Sequence, residues 1–270
     1  VPELPETETI ARDLAAAITG RLIHGVEVPR ADVLRGTDAA ALAQTLSDAR
    51  ITDVRRRAKS IVLGLGDRGT VVVTPRFTGA LLLDGTPDHY DALHLHLDDG
   101  TLLRYRDVRR LGTVAWHDAA SYRAWDVALG PEPLDPELTA ATFAGIVRAS
   151  TRAVKTILMD QRRLAGIGNI YATEALWHAG VRPSRPGAQV SRAACTALHE
   201  ALRRILTDAI AARGTTFRDY QDARGGRGGY AAQLQAYGRA DEPCPRCGTT
   251  FASDHTLEGR RTVHCPRCQR

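Results

Sequence analysis

Two cysteine knuckles constrain this chain more than any other feature: Cys244-x2-Cys247 and Cys265-x2-Cys268, with seventeen residues between them. That interval falls within the ~15–20 residues expected of a tetrahedral zinc ribbon. Four thiolates close the coordination sphere and leave no position for a substrate water, so a metal held this way is structural. His255 and His264 lie inside the ribbon, but four cysteines already suffice. The fifth cysteine, Cys195, falls in a helical pattern and reads as a buried apolar residue. Five cysteines in 270 residues are too few for a disulfide scaffold, and the expected compartment is cytoplasmic. Arg246, Arg260, Arg261, Arg267 and Arg270 surround the knuckles. A ribbon so flanked either touches nucleic acid or only staples the fold, and the spacing alone leaves both open.

Charge is distributed unevenly. The net charge is +5, and residues 211–270, with ten arginines against six acids, supply +4 of it. The basic excess is therefore a property of the C-terminal part, which permits a polyanionic partner without requiring one. Of 36 basic residues only Lys59 and Lys155 are lysines. A composition bias that turns surface lysine into arginine would spare positions where a compact ammonium is needed, which marks these two as candidates for function. No apolar run reaches the ~18 residues of a membrane helix, and the acidic start VPELPETETI does not read as a secretory signal.

Periodicity predicts an α+β chain in three parts. Residues 5–19 read as a helix, with Pro5 in its first turn, Ile10, Leu14 and Ile18 on one face, and Gly20 beyond its end. Eight short strand patterns follow to about residue 117 and predict a β-sandwich or barrel. In the clearest, Leu93, Leu95 and Leu97 face one way and His94 and His96 the other, before an Asp98-Asp99-Gly100 hairpin turn. Gly130-Pro131-Glu132-Pro133 breaks the pattern, and helices are expected at 135–149, 151–163, 170–179 and 190–213. The expected domains are 1–130, 131–240 and, around the cysteines, 241–270.

Two further features carry chemistry. Ala165-Gly166-Ile167-Gly168-Asn169 links two helical patterns, and backbone N–H groups at such a helix start favour a phosphate. It lacks the preceding strand and third glycine of a dinucleotide fingerprint. Pro2-Glu3-Leu4-Pro5-Glu6 is an ordinary helix start if the chain is blocked. A proline with a free amine is different: a secondary amine of pKa near ~8 can form an iminium with a sugar aldehyde carbon.

PELPE at 2–6, RRRAK at 55–59, YRDVRRLG at 105–112, GPEPL at 130–134, LMDQRRLAGIGNIYATEAL at 158–176, GTTFRDY at 214–220, LQAYGR at 234–239 and the terminal CPRCG…GRRTVHCPRCQR follow one another along the chain. Together they resemble the formamidopyrimidine-DNA glycosylase/endonuclease VIII family from end to end, and its formamidopyrimidine branch in particular. The resemblance implies an N-terminal β-sandwich, a helix–two-turn–helix domain and a C-terminal zinc ribbon with one structural zinc ion. It implies a monomeric base-excision repair enzyme, a DNA glycosylase and AP lyase, whose partner is double-stranded DNA carrying damaged bases or abasic sites. Oxidised purines such as 8-oxoguanine and formamidopyrimidine are the implied lesions. By the same resemblance Pro2 attacks C1′, Glu3 protonates the sugar ring oxygen, and Lys59 is the family's catalytic lysine. Asn169 and Arg260 correspond to phosphate-binding residues, and Lys155 to a phosphate-contacting lysine before the turn.

The departures from the pattern fall on the lesion pocket. Position 1 is valine, and a retained residue there would block the Pro2 amine and leave a non-catalytic DNA-binding relative; we expect it to be a literal translation of an alternative start codon, removed from the mature chain. Phe77 stands at the family's intercalating methionine and Leu111 at its wedge phenylalanine, with Arg109 kept. Thr74 replaces a usual histidine, and His89-Tyr90-Asp91-Ala92 replaces a Lys-His-Asp-His stretch, where Tyr90 is the candidate DNA contact. The base-capping loop corresponds to residues 222–230. The changed wedge also admits the same chemistry retuned to bulky or alkylated bases.

Overall fold

A computed structural model describes residues 2–270. Val1, on which the expectation of a free Pro2 amine turns, lies outside them. The chain divides into two compact units, Val1–Ala128 with Ile210–Ala231, and Leu129–Ala209 with Ala232–Arg270. Compactness thus groups residues differently from the motifs: a late segment packs into the first unit, and the ribbon belongs to the second.

The first unit opens with α1 (Leu4–Ile18), whose Ile10, Leu14 and Ile18 recur every four residues and are fully buried. The strands follow: β1 (Ile23–Glu27), β2 (Leu34–Arg35), then, after helix α2 (Ala39–Leu46), β3 (Asp53–Arg57), β4 (Ser60–Gly64), β5 (Thr70–Thr74), β6 (Gly79–Leu83), β7 (Asp91–Leu97), β8 (Leu102–Asp107) and β9 (Thr113–His117). They form a four-stranded sheet in the order β1-β7-β8-β6 and a five-stranded sheet in the order β2-β9-β5-β4-β3. Leu81, Leu93, Leu95 and Leu103 of the first sheet join Ile61, Leu63, Val71, Val73 and Val114 of the second in one core, which is the expected sandwich. Each such buried aliphatic contributes roughly 1.5–3 kcal/mol. His94 points away from this core yet is still buried, because Asp91 and Glu27 bind its two ring nitrogens at 2.9 and 3.1 Å.

Helix α3 (Ala119–Val127), capped by Asp118, ends the first stretch. The late segment then closes the unit. Leu83 N–H donates to Ala223 O at 2.7 Å, and Arg213 pairs with both Asp13 and Asp222 at 2.6 Å. Residues 222–230 are therefore pinned at their start. Asp222 accepts the N–H groups of Arg224 and Gly226 at 3.0 and 2.7 Å as well as Arg213.

The second unit holds α4 (Ala140–Arg148), α5 (Val154–Met159), α6 (Asn169–His178) and all but the end of α7 (Arg192–Ala211). Cys195 on α7 is fully buried among its apolar face, as expected. The hairpin β10 (Ala252–Asp254) and β11 (Thr262–His264) pairs in register, Ser253 opposite Val263, and carries the cysteine knuckles at its base. Among the described residues no helix is long and apolar enough to cross a membrane.

Candidate active site and nucleic-acid interface

The start of α1 is fixed by a carboxylate. Glu6 is fully buried, and its two oxygens accept the N–H of Glu3 at 2.8 Å and of Thr215 at 2.7 Å. Pro2 and Glu3 are thereby held, with Glu3 only 3% exposed. Tyr220 completes this anchor by donating to Arg213 O at 3.1 Å, and burial together with the nearby Glu6 charge pushes its phenol well above the usual range. Lys59 occupies the tight turn between β3 and β4, where Ala58 takes φ +54°. That hairpin is tied to α1 by Arg56, whose Nε donates to Glu8 at 2.8 Å. Beside the turn, Ser60 and Thr74 hydroxyls lie 2.7 Å apart, so the threonine that stands in for a histidine is engaged with a neighbour.

A second cluster in the same unit joins the loops that hold Phe77 and Arg109. Asp107, fully buried, accepts from the Thr78 hydroxyl at 2.7 Å, the Gly112 N–H at 2.8 Å and the Tyr105 hydroxyl at 3.2 Å. Thr78 in turn accepts the Arg109 N–H at 2.9 Å. A Cβ on Gly112 would run into the Tyr105 hydroxyl, and one on Gly79 would lie 2.8 Å from it, so the knot requires glycine at both. The result is that the Arg109 guanidinium lies 4.7 Å from the centroid of the Phe77 ring, a cation–π stack. Leu111 is 40% exposed beside them. Tyr90 carries the guanidinium of Arg106 over its ring at 5.0 Å.

The remaining residues meet in the second unit. Asn169 begins α6, and its Nδ2 donates to Arg261 O at 3.2 Å. Lys155 on α5 sends its Nζ to the Thr262 hydroxyl at 2.9 Å and to the same Arg261 carbonyl at 3.3 Å. With 1% exposure, Lys155 braces the ribbon turn that carries Arg260. Gln161 shapes the preceding glycine turn, accepting Gly166 N–H and donating to Ile167 O, both at 2.9 Å. Glu174 fixes the other side of α6 by accepting the N–H groups of Gln235, Ala236 and Tyr237 at 3.0, 2.8 and 2.7 Å. Burial still raises its carboxyl above the usual range.

The four sulfurs of Cys244, Cys247, Cys265 and Cys268 lie within 4.8 Å of one another, a group that could hold a metal ion. Thr249, through its hydroxyl and N–H, draws the Cys247 thiol down to about 6. Burial and the neighbouring sulfurs push Cys268 up to about 12. Thiols gathered this closely can all ionise only if a cation neutralises them, and an all-sulfur donor set suits a soft or borderline divalent ion.

Glu6, Thr78, Asp107 and Gln161 are the residues that sequence reasoning missed. Glu6, Asp107 and Gln161 lie inside quoted motifs, but their partners stand far along the chain or on the backbone, so the sequence assigns none of the four a role. One unit packs two sheets beside a helix start fixed by a buried acid, and the other sets a glycine-turn helix against a four-cysteine ribbon; comparison with known proteins assigns this combination to a class of DNA glycosylases. The chain matches the family model for the formamidopyrimidine-DNA glycosylase N-terminal domain over residues 1–114 and that for its H2TH domain over residues 129–221. It is 41% identical over 276 residues to formamidopyrimidine-DNA glycosylase of Chloroflexus aggregans, covering 100% of this chain and 98% of that one. The structure resembles Lactococcus lactis Fpg bound to DNA with an abasic site, at a TM-score of 0.91, 31% identity and 99% coverage of both chains. It resembles the same protein in complex with DNA containing N7-benzyl-Fapy-dG equally, at 0.91, 31% identity and 100% coverage of both. The chain belongs to the formamidopyrimidine-DNA glycosylase family.

Proposed function

We propose that the protein is a bifunctional DNA glycosylase and AP lyase of base-excision repair, acting on oxidised purines such as 8-oxoguanine and formamidopyrimidine in duplex DNA. The observation that carries this reading is the doubly bonded Glu6 carboxylate, which holds Pro2 and Glu3 at a fixed place in the unit that also contains Lys59 and the Phe77–Arg109 stack. Once the damaged nucleotide is everted, the Pro2 amine attacks C1′ as Glu3 protonates the sugar ring oxygen. The glycosidic bond breaks and the base leaves with its electron pair and takes up a proton; the amine gives up its proton, and the C1′–O4′ bond then breaks toward the protonated ring oxygen, opening the sugar to an iminium. The iminium so formed makes the C2′ proton acidic, and its loss expels the 3′ phosphate; a second elimination expels the 5′ phosphate. This requires that nothing precede Pro2 in the active protein. Lys59 supplies a cation beside the reacting sugar.

Asn169 and Arg260 hold the backbone phosphate, with Lys155 bracing their turn, while Phe77, Arg109, Leu111 and Tyr90 contact the DNA around the everted nucleotide. The four cysteines hold one zinc ion, which supplies folding energy to the ribbon and takes no part in the chemistry. The protein acts as a monomer in the cytoplasm, where its thiols stay reduced. Residues 1–130, 131–240 and 241–270 serve as catalytic, helix–two-turn–helix and zinc-finger parts. A second reading, the same chemistry on bulkier alkylated purines, is favoured by the changed pair Phe77 and Leu111 and by the N7-benzyl-Fapy-dG complex of the Lactococcus lactis protein. Borohydride trapping across duplexes carrying 8-oxoguanine, formamidopyrimidine, N7-substituted formamidopyrimidine or an abasic site distinguishes the two. Trapping first on the oxidised purines is the expected result, and trapping confined to the N7-substituted lesion would support the second reading.

A further inference from the structure

The ribbon is joined to α6 by one aromatic residue that no motif marked. Trp177 is 5% exposed and packs with Ala236, Phe251, Val263, Cys244 and Cys265 in a small apolar cluster of its own. The guanidinium of Arg246, two residues from Cys244, covers its ring at 4.4 Å and donates from Nη2 to His178 O at 3.3 Å. The indole N–H is buried and has no hydrogen-bond partner among the described residues. A buried donor left so is costly, and buried tryptophans ordinarily find a partner. The acceptor available in this cluster is sulfur. A neutral thiol accepts weakly, whereas a metal-bound thiolate carries charge and accepts well.

We propose that Trp177 is a positioning residue of the metal centre, donating its indole N–H to the Cys244 thiolate when the four cysteines hold their ion. This rests on the reading of those cysteines as a metal site. The consequence is structural coupling. Helix α6 meets the ribbon through Asn169 at its first residue and through Trp177 in its last turn. An ion that fixes Cys244 therefore also fixes the helix that bears the phosphate-binding asparagine. Partners of this kind orient the ligand and tune the metal, and their loss typically weakens binding about 10–100-fold.

The test uses the full chain. Metal content of the wild-type protein is measured first; absence of metal would remove the reading and the inference with it. Trp177→Phe keeps most of the ring and deletes the N–H. It is expected to speed release of zinc to a chromophoric chelator about 10-fold or more. In the cobalt-substituted protein it should move the thiolate-to-metal charge-transfer band to longer wavelength, because the sulfur lone pairs lose a stabilising donor. Arg246→Ala, which removes the stacking cation and its bond to His178 O but keeps the indole N–H, should leave that band in place. A metal-loaded Trp177→Phe protein with wild-type release and an unmoved band would overturn the inference while leaving the metal site standing. If Trp177→Phe does not fold, the wild-type protein loaded with 113Cd answers instead. Of the three indole N–H protons (Trp116, Trp125 and Trp177), the one from Trp177 should show scalar coupling to cadmium, and its absence would overturn the inference equally.

Discussion

Phe77 adopts φ +32°, a backbone conformation that side-chain-bearing residues rarely take, while Thr78 beside it is tied to Asp107 and its ring lies under Arg109. Strain of this kind, of order 1–3 kcal/mol, persists only where the surroundings over-determine it, and such places cluster at functional sites. Eversion of a base leaves a gap in the stack, and an aromatic ring can recover ~1–3 kcal/mol by stacking on a neighbouring base. Leu111 can only wedge. Phe77→Ala is therefore expected to slow excision of a paired 8-oxoguanine roughly 10-fold or more, in line with that stacking energy. Cleavage at a preformed abasic site should suffer less, since no base pair must be opened there. Single-turnover rates for Phe77→Ala and Leu111→Ala on matched duplexes decide the point. Equal losses on both substrates, or a larger loss from Leu111→Ala, would count against a transfer of the wedge to Phe77.

At the scale of elements, α1 and the β3–β4 hairpin are joined by Glu8, which bonds Arg12 at 2.7 Å and Arg56 at 2.8 Å. Burial raises the Glu8 carboxyl, but the charges and hydrogen bonds of Arg56 and Arg12 prevail and hold it below the usual range. A carboxyl with a depressed native pKa adds stability that is complete above its unfolded value, ~4.3, and lost as pH falls through the native value. Glu8→Gln should cost about 1 kcal/mol at pH 7, allowing for solvent screening at a partly exposed site. The variant and the wild type should then converge in urea midpoint between pH 5 and 3; parallel curves would show that the clasp contributes nothing. Eight of the nine strands of the first unit were legible from apolar alternation, and α1 and α4 to α7 from helical periodicity; the two-residue β2 is too short to show alternation. Helices α2 and α3 were not. Helix α2 buries only Leu42 and Leu46, and α3 buries no side chain, so neither shows an apolar stripe; the capping residues Asp38 and Asp118 were the only local signals. The site was legible where motifs are contiguous and illegible where a bond spans the chain, as from Glu6 to Thr215. The same holds for Trp177, whose apolar partners give it the look of ordinary core.

For the whole molecule, the charge asymmetry becomes a statement about binding. A net charge of +5 concentrated toward the C-terminal part implies an affinity for duplex DNA that falls steeply with salt. Arg260→Ala should weaken binding to any duplex and lower the slope of log K against log salt by about 1, while metal content stays unchanged. Removing the metal with a chelator should act more broadly, because a ribbon's folding energy comes largely from its ion. Loss of the β10–β11 hairpin would release the Arg261 carbonyl that Lys155 and Asn169 share, and with it the placement of Arg260. Apo-protein that bound lesion DNA as tightly as the metal-loaded protein would reduce the ribbon to a staple.

The nucleophile we propose is the secondary amine of Pro2, whose neighbour Glu3 is anchored by Glu6. Borohydride reduction on an abasic-site duplex, followed by digestion and sequencing of the DNA-bearing peptide, tests it most directly. The expected adduct lies on a peptide that begins at Pro2, and Pro2→Gly should lose most of the trapped product. An adduct mapped to Lys59, or trapping undiminished in Pro2→Gly, would contradict the account.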